Sequence, residues 1–127
     1  MKKFQGKVVF ITGASSGIGA ALAREFARHG ARVALLARRR ERLERLTKEI
    51  EDRGGAALAL AADVTVDGEI DAAVQAAVAK WGGIDVVVAN AGFGVVGPLK
   101  DLTLEDYRRQ FETNVFGVLR TIYATLE

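Results

Sequence analysis

The sequence predicts an α/β fold, in which helices cover both faces of a doubly wound parallel sheet. Short apolar segments alternate with amphipathic segments of helical length along the 127 residues. A glycine-rich turn joins the first pair, and glycines follow the next amphipathic segments. Strands and helices that alternate at these lengths are typical of parallel sheets with right-handed crossovers.

Four apolar segments predict the strands of this sheet, at residues 7–12, 33–36, 56–62 and 84–89. The first and fourth segments are apolar on both faces, as central strands of a parallel sheet are. We therefore predict about four strands in the order 3-2-1-4. In this order the winding reverses between strands one and four, and ligands of open α/β sheets bind at such a reversal.

Four amphipathic segments predict the helices, at residues 17–28, 40–53, 68–80 and 104–126. Glycines follow the first three segments and are expected to end those helices. Asp67 and Thr103 precede the last two segments, and we expect each to be the N-cap of its helix.

Length and composition indicate one globular domain over residues 1–127. Half of the residues are hydrophobic (50%), yet no apolar run approaches the ~18 residues of a membrane span. The net charge of +2 is too small to indicate nucleic-acid binding, so we expect neither nucleic acid nor membrane as a partner. One histidine and no cysteine supply few metal ligands, and we predict no metal site. The lack of cysteine fits a cytoplasmic location.

The turn after the first strand has the composition of a phosphate-binding loop. Glycine lets the backbone turn tightly and approach a ligand closely. The helix that follows directs unpaired N–H groups and the positive end of its dipole towards an anion. The alternative is a plain connection that needs glycine only for its shape. The candidate binding residues of this turn are Gly13, Ser15, Ser16, Gly17, Ile18 and Gly19.

Four motifs, in order and over the whole chain, resemble those of the short-chain dehydrogenases/reductases. They are the glycine turn, Asp63-Val64 after strand three, Asn90-Ala91-Gly92 after strand four, and Asn114 in the last helix. The resemblance implies a Rossmann-like, NAD(P)-binding domain of an oxidoreductase.

The resemblance also implies roles for the matching residues. Gly13, Ser15 and Ile18 would lie around the pyrophosphate, Asp63 and Val64 would hold the adenine, and Asn90, with Ala91 and Gly92, would line the nicotinamide ribose. Other readings stay open, since Asp63 can be a turn residue and Asn90 can tie strand four to its neighbours.

Asn114 is the one candidate catalytic residue. By the resemblance it would hold a water that relays protons from a lysine, but that lysine is absent, so we favour a structural amide bonded to backbone. Gly117 lies three residues later and costs about 1 kcal/mol relative to alanine in a helix. The two residues together indicate a bend or a close contact in this helix.

Arginines at the end of strand two favour NADP(H) over NAD(H). Arg38 lies 19 positions after Gly19, close to the ~20 expected for the residue that contacts the ribose 2′ position. No carboxylate is present there for a 2′-hydroxyl, whereas a guanidinium can bind a 2′-phosphate through two hydrogen bonds. The alternative is that Arg38, Arg39 and Arg40 form a solvated helix start.

The proton-transferring Tyr-x-x-x-Lys pair of the family has no match. Tyr107 is followed four residues later by Phe111, and Tyr123 by Glu127. We therefore expect the cofactor-binding part of an oxidoreductase, cut from a longer sequence and inactive alone. Its complete parent would move a hydride between NADP(H) and a carbonyl or alcohol. The alternative is a non-catalytic nucleotide-binding or structural half-domain, natural or engineered.

Two apolar surfaces predict self-association into at least a dimer. In the order 3-2-1-4, strand 84–89 is an edge, and an apolar edge strand tends to pair with another chain. The helix over 104–126 presents a second apolar surface. The contact is expected at one of these surfaces, or through an exchange of the helix between chains.

Overall fold

Four parallel strands form one sheet in the order β3-β2-β1-β4, which confirms the predicted topology. The computed structural model describes residues 3–15, 17–92 and 103–126. The strands are β1 (Val8–Thr12), β2 (Arg32–Ala37), β3 (Ala56–Ala61) and β4 (Val86–Val88). All three strand pairs are parallel.

Helices follow the strands much as the sequence predicts. They are α1 (Gly17–Arg28), α2 (Arg40–Asp52), α3 (Glu69–Trp81), α4 (Leu104–Phe111) and α5 (Val118–Thr125). A π-helical turn over Glu112–Gly117 separates α4 from α5. The single helix predicted over 104–126 is therefore interrupted. Thr103 caps α4 as expected, because its side chain accepts a hydrogen bond from the Asp106 N–H.

The cap of α3 differs from the prediction. Gly68, with a left-handed φ of 87°, is the N-cap residue, and no side chain caps this helix end. The predicted cap, Asp67, instead accepts a hydrogen bond from Arg120 Nε at 2.9 Å. A charge-assisted bond to a distant arginine has replaced the local cap.

Two apolar clusters pack on opposite faces of the sheet. Successive side chains of a strand point to opposite faces. Val9 and Val33 therefore pack with α1 and α2, whereas Phe10 and Leu36 pack with α3. This two-sided burial explains why β1 and β2 are apolar except for Thr12 at the end of β1 and Arg32 at the start of β2.

The edge strand β4 is shorter than predicted. Only Val86–Val88 pair with β1, and these residues are half-buried. Before them, the Asp85 carboxylate accepts a hydrogen bond from the Val8 N–H at 2.8 Å. After them, the N–H groups of Asn90 and Ala91 donate to the Thr12 side chain. The Asp85 N–H also donates to the Val8 carbonyl oxygen at 2.8 Å. Side-chain bonds therefore add to the backbone contact before β4, and bonds to the Thr12 side chain hold the chain after it.

The π-helical turn explains the unusual pair of residues in the last helical run. Gly117 is buried, and a Cβ there would lie 2.7 Å from Val64 Cγ2, which confirms the predicted close contact. Asn114 lies in the same turn and is exposed. The turn therefore brings backbone against Val64 and leaves the Asn114 side chain near the surface.

Candidate functional site

A cleft of about 690 Å³ runs along the carboxyl ends of all four strands. It crosses the point between β1 and β4 where the winding reverses, which is where ligands of such sheets bind. The candidate residues that line it are Gly13, Ser15, Arg38, Arg39, Asp63, Val64, Asn90, Ala91 and Gly92. Motifs from four separate parts of the sequence thus meet in one cleft.

The other candidates lie beside the cleft. Ile18 is 71% exposed at the start of α1, and Gly17 has a left-handed φ of 57°. Gly19 is buried beneath the turn. Asn114 does not line the cleft, but a Cβ on Gly92 would lie 2.9 Å from its Oδ1 atom. Ser16 falls outside the described residues.

The glycine turn is in direct contact with the chain after β4. Gly13 has a left-handed φ of 64°, and a Cβ there would lie 3.0 Å from the backbone N and Cα atoms of Ala91. A Cβ on Gly19 would overlap the carbonyl oxygen of Gly13. The Asn90 amide donates to that same oxygen at 3.4 Å. The glycines therefore let the turn pack closely on itself and on the chain after β4. A tight turn of this kind at the start of a helix suits the binding of a phosphate.

Thr12, at the end of the central strand β1, connects that strand to the chain that follows the edge strand β4. Its side chain is 1% exposed, and its hydroxyl accepts hydrogen bonds from Asn90 N–H (2.9 Å) and Ala91 N–H (3.1 Å). The backbone N–H of Asn90 therefore supports the hypothesis that this residue connects strand four to its neighbour. The single hydroxyl at the end of an apolar strand was the only sequence signal for the role of Thr12.

We expect Thr12→Val to lower the free energy of unfolding by about 1–3 kcal/mol, because two part-buried N–H groups lose their acceptor. Thr12→Ser keeps the hydroxyl and should recover most of that loss. Thr47→Val is the matched control, since the Thr47 hydroxyl is buried without a partner in the described part of the chain. Urea unfolding of the three variants measures the difference. Equal stabilities for Thr12→Val and Thr47→Val would contradict the role of Thr12.

Asp63 forms a tight turn at the end of β3. Its Oδ1 atom accepts hydrogen bonds from the Thr65 N–H (2.8 Å) and hydroxyl (2.6 Å). Burial raises the pKa of Asp63, but the bonds from Thr65 and the charges of Arg38 and Arg120 outweigh it and leave the pKa below its usual value. The structure thus supports the interpretation of Asp63 as a turn residue. Its ionised carboxylate also lines the cleft, where it can accept a hydrogen bond.

One end of the cleft is basic. Arg38, Arg39 and Arg42 line it where β2 meets α2, and β2 ends in Ala37 without a carboxylate. Arg42 carries no motif in the sequence, although it lies three residues after Arg39, a spacing that brings helical side chains together. This end of the cleft has the charge and the donors to bind a phosphate group.

Further cleft residues come from positions that sequence motifs do not mark. They are Thr65, Arg109, Glu112 and Thr113. The last three belong to the end of α4 and the π-helical turn, so an unbroken helix would not have indicated which of its side chains face the cleft.

Metal-binding clusters and membrane-spanning helices are both absent from residues 3–15, 17–92 and 103–126. These residues contain no cluster of three or more histidine, cysteine, aspartate or glutamate side chains that could bind a metal ion. None of their helices combines the length and apolar character needed to cross a membrane. The cytoplasmic location stays a prediction from composition.

The chain matches proteins of known family over nearly its whole length. A family model described as short chain dehydrogenase matches residues 7–127. The short chain dehydrogenase mdpC of Emericella nidulans is 41% identical over 128 residues, which cover 98% of this chain and 48% of that protein.

Solved structures of other proteins are also similar to this chain in sequence and in fold. The alcohol dehydrogenase of the archaeon Thermococcus sibiricus, complexed with 5-hydroxy-NADP, is 40% identical with a TM-score of 0.90, over 94% of this chain and 52% of that one. The 3-ketoacyl-(acyl-carrier-protein) reductase of Brucella melitensis, complexed with NADH, is 40% identical with a TM-score of 0.89, over 95% and 49%.

The match has the same extent in most of these comparisons. The chain spans about half the length of mdpC and of the two solved structures, and 33% of the oxidoreductase YxnA of Bacillus subtilis. The four motifs and the strand order agree with this match. The chain therefore belongs to the short-chain dehydrogenase family of oxidoreductases and corresponds to the cofactor-binding half of longer members.

Proposed function

We propose that this chain is a single domain that binds NADP(H) and forms the nucleotide-binding half of a reductase or dehydrogenase. The observation that carries the proposal is the continuous cleft from the glycine turn to the three arginines beside β2. In the complete protein, the bound cofactor would exchange a hydride with a carbonyl or alcohol.

Different residues of the cleft bind different parts of the dinucleotide. The backbone of the turn, with Gly13, Ser15, Ser16, Gly17, Ile18 and Gly19, binds the pyrophosphate next to the positive end of α1. Asp63 accepts a hydrogen bond from the adenine, and Val64 packs beside it. Asn90, Ala91 and Gly92 line the nicotinamide ribose.

Arg38, Arg39 and Arg42 support the preference for NADP(H). A guanidinium binds phosphate oxygens through paired, charge-assisted hydrogen bonds. NAD(H) has a hydroxyl in place of this phosphate and would leave the arginines without that anion. Contact between these arginines and the 2′-phosphate is therefore expected to make NADP(H) bind more tightly than NAD(H).

Fluorescence titration of the chain with NADPH and NADH tests the proposal. We expect NADPH to bind at least about tenfold more tightly at low salt, because hydrogen bonds to charged groups contribute about 1.5–3 kcal/mol. The difference should narrow as salt screens the arginines. Failure of both nucleotides to bind would contradict the nucleotide role, and equal affinities would contradict the preference for NADP(H).

We propose that the 127 residues alone do not turn over a carbonyl substrate. Their sequence contains no tyrosine followed four residues later by lysine, so this pair cannot supply a proton. Asn114 is exposed and lies beside Gly92, and we assign it a structural role within the π-helical turn. NADPH oxidation in the presence of a carbonyl substrate, at a rate typical of enzymes, would show that another group transfers the proton.

We propose further that the chain self-associates through the exposed apolar face of its last helical run. This face consists of Phe111, Val115, Phe116, Leu119 and Ile122, each 40% exposed or more. The edge of β4 is the weaker candidate because only three residues form it.

Sedimentation velocity measures this association. At high micromolar concentration we expect a dimer or larger species, which Leu119→Glu should shift towards monomer, since a buried unpaired charge is unfavourable. Val78→Glu is the matched control, because Val78 on α3 is also 41% exposed. A wild-type chain that stays monomeric would contradict the proposal.

A further inference from the structure

Arg120 joins the loop after β3 to the last helical run. Its Nε atom donates to Asp67 Oδ1 at 2.9 Å, and its Nη1 atom donates to the Val64 carbonyl oxygen at 3.3 Å. Its Nη2 atom forms an ion pair with Glu112 Oε1 at 2.6 Å. One guanidinium, 29% exposed, thus bonds to groups from two separate segments of the chain.

Two of the partners of Arg120 line the cleft, and they come from separate segments of the chain. Val64 and Glu112 both line the cleft, whereas Arg120 and Asp67 do not. The Val64 side chain also packs directly over Gly117, where a Cβ would lie 2.7 Å from Val64 Cγ2. The position of Val64 is therefore set by Arg120 on its carbonyl and by Gly117 on its side chain.

The π-helical turn brings Arg120 and Glu112 together. In an unbroken α-helix, side chains eight residues apart differ by about 80° around the axis, because each residue turns the chain by about 100°. A π-helical turn is wider and rotates less per residue, so the two side chains come closer to one face. The π-helical turn thus allows Arg120 and Glu112 to form their ion pair.

We infer that Arg120 is a positioning residue for the adenine end of the cofactor. It fixes Val64, and with it the Asp63 turn, against the last helical run. This inference rests on the proposed function, since it assigns the adenine to Asp63 and Val64. Arg120 acts through these residues and does not touch the nucleotide.

The test compares Arg120→Met with Arg108→Met in the full 127-residue chain. Arg108 is a matched control because it is 72% exposed and does not line the cleft. NADPH, NADH and the NADPH analogue with hypoxanthine in place of adenine are titrated by fluorescence. The analogue has a carbonyl oxygen in place of the adenine amino group, so position 6 of its ring offers an acceptor instead of a donor to the Asp63 carboxylate.

We expect Arg120→Met to weaken NADPH binding about tenfold, as is typical when a charged hydrogen-bond network loses its donor. The preference for adenine over hypoxanthine should fall towards one, while the ratio of NADPH to NADH affinity should stay unchanged. A general loss of structure would not separate the two ratios in this way. Arg120→Lys retains the charge and should recover part of the adenine preference.

Asp67→Asn provides a second variant in case Arg120→Met does not fold. It weakens one bond of Arg120 from an exposed position outside the cleft, and a smaller fall in adenine preference, about threefold, is expected. An unchanged adenine preference in every variant that folds would overturn the inference and leave the proposed function intact. A wild-type chain that binds no nucleotide, or does not distinguish adenine from hypoxanthine, would instead refute the assignments on which the inference rests.

Discussion

We expect Gly19→Ala to abolish nucleotide binding and to lower the free energy of unfolding by at least about 2–3 kcal/mol. Gly19 is buried in the first turn of α1, and a Cβ there would overlap the Gly13 carbonyl oxygen and lie 2.9 Å from Asn90 Nδ2. The nearest obstacle is backbone, so the turn itself must move. Helix propensity alone has the opposite sign, because alanine is favoured over glycine in a helix by about 1 kcal/mol.

Gly83→Ala is the control for this substitution. A methyl group on Gly83 would have no neighbouring atom within 4 Å, and Gly83 does not have a positive φ. Its unfolding free energy and NADPH affinity should therefore stay close to those of the wild type. Urea unfolding and NADPH titration of both variants give the comparison. If Gly19→Ala bound NADPH like Gly83→Ala, the close contact at the turn would not matter for binding.

The central strands of the sheet were predictable because apolar residues occupy nearly all of their buried positions. Phe10 and Ile11 are adjacent and both fully buried, on opposite faces of the sheet. Only a central strand covered on both sides places consecutive large apolar residues in this way. The topology then follows from the order of strands and helices, and the motifs that end the strands reach one cleft without further information.

The parts that were missed depend on contacts between residues far apart in sequence. Asp67 has the residue type and the place of an N-cap, but Arg120, 53 residues later, forms its hydrogen bond. Glu112 and Thr113 line the cleft from the π-helical turn at Glu112–Gly117, which the sequence did not predict. Local propensity does not encode such contacts, since they arise when separate elements pack together.

We expect the choice of cofactor to depend most directly on Arg38, so reversing its charge should have the largest effect on that choice. We expect Arg38→Asp to weaken NADPH binding about a hundredfold at low salt, through lost charge-assisted hydrogen bonds and new repulsion of the 2′-phosphate. NADH binding should change little or improve, because a carboxylate at this position can accept a hydrogen bond from the ribose 2′-hydroxyl. Titrations with both nucleotides at low and high salt measure the two affinities.

Arg40→Asp separates this local effect from the general field of the basic segment. Arg40 is the first residue of α2 and does not line the cleft, yet the substitution changes the net charge by the same amount. Long-range attraction acts on both positions and is screened within about 10 Å at 0.1 M salt, whereas a direct phosphate contact is screened much less. A selective loss of NADPH affinity in Arg38→Asp that persists at high salt therefore indicates contact with the 2′-phosphate. Equal losses for NADPH and NADH, or equal effects of the two substitutions, would remove Arg38 from the phosphate site and return the arginines to a solvated helix start.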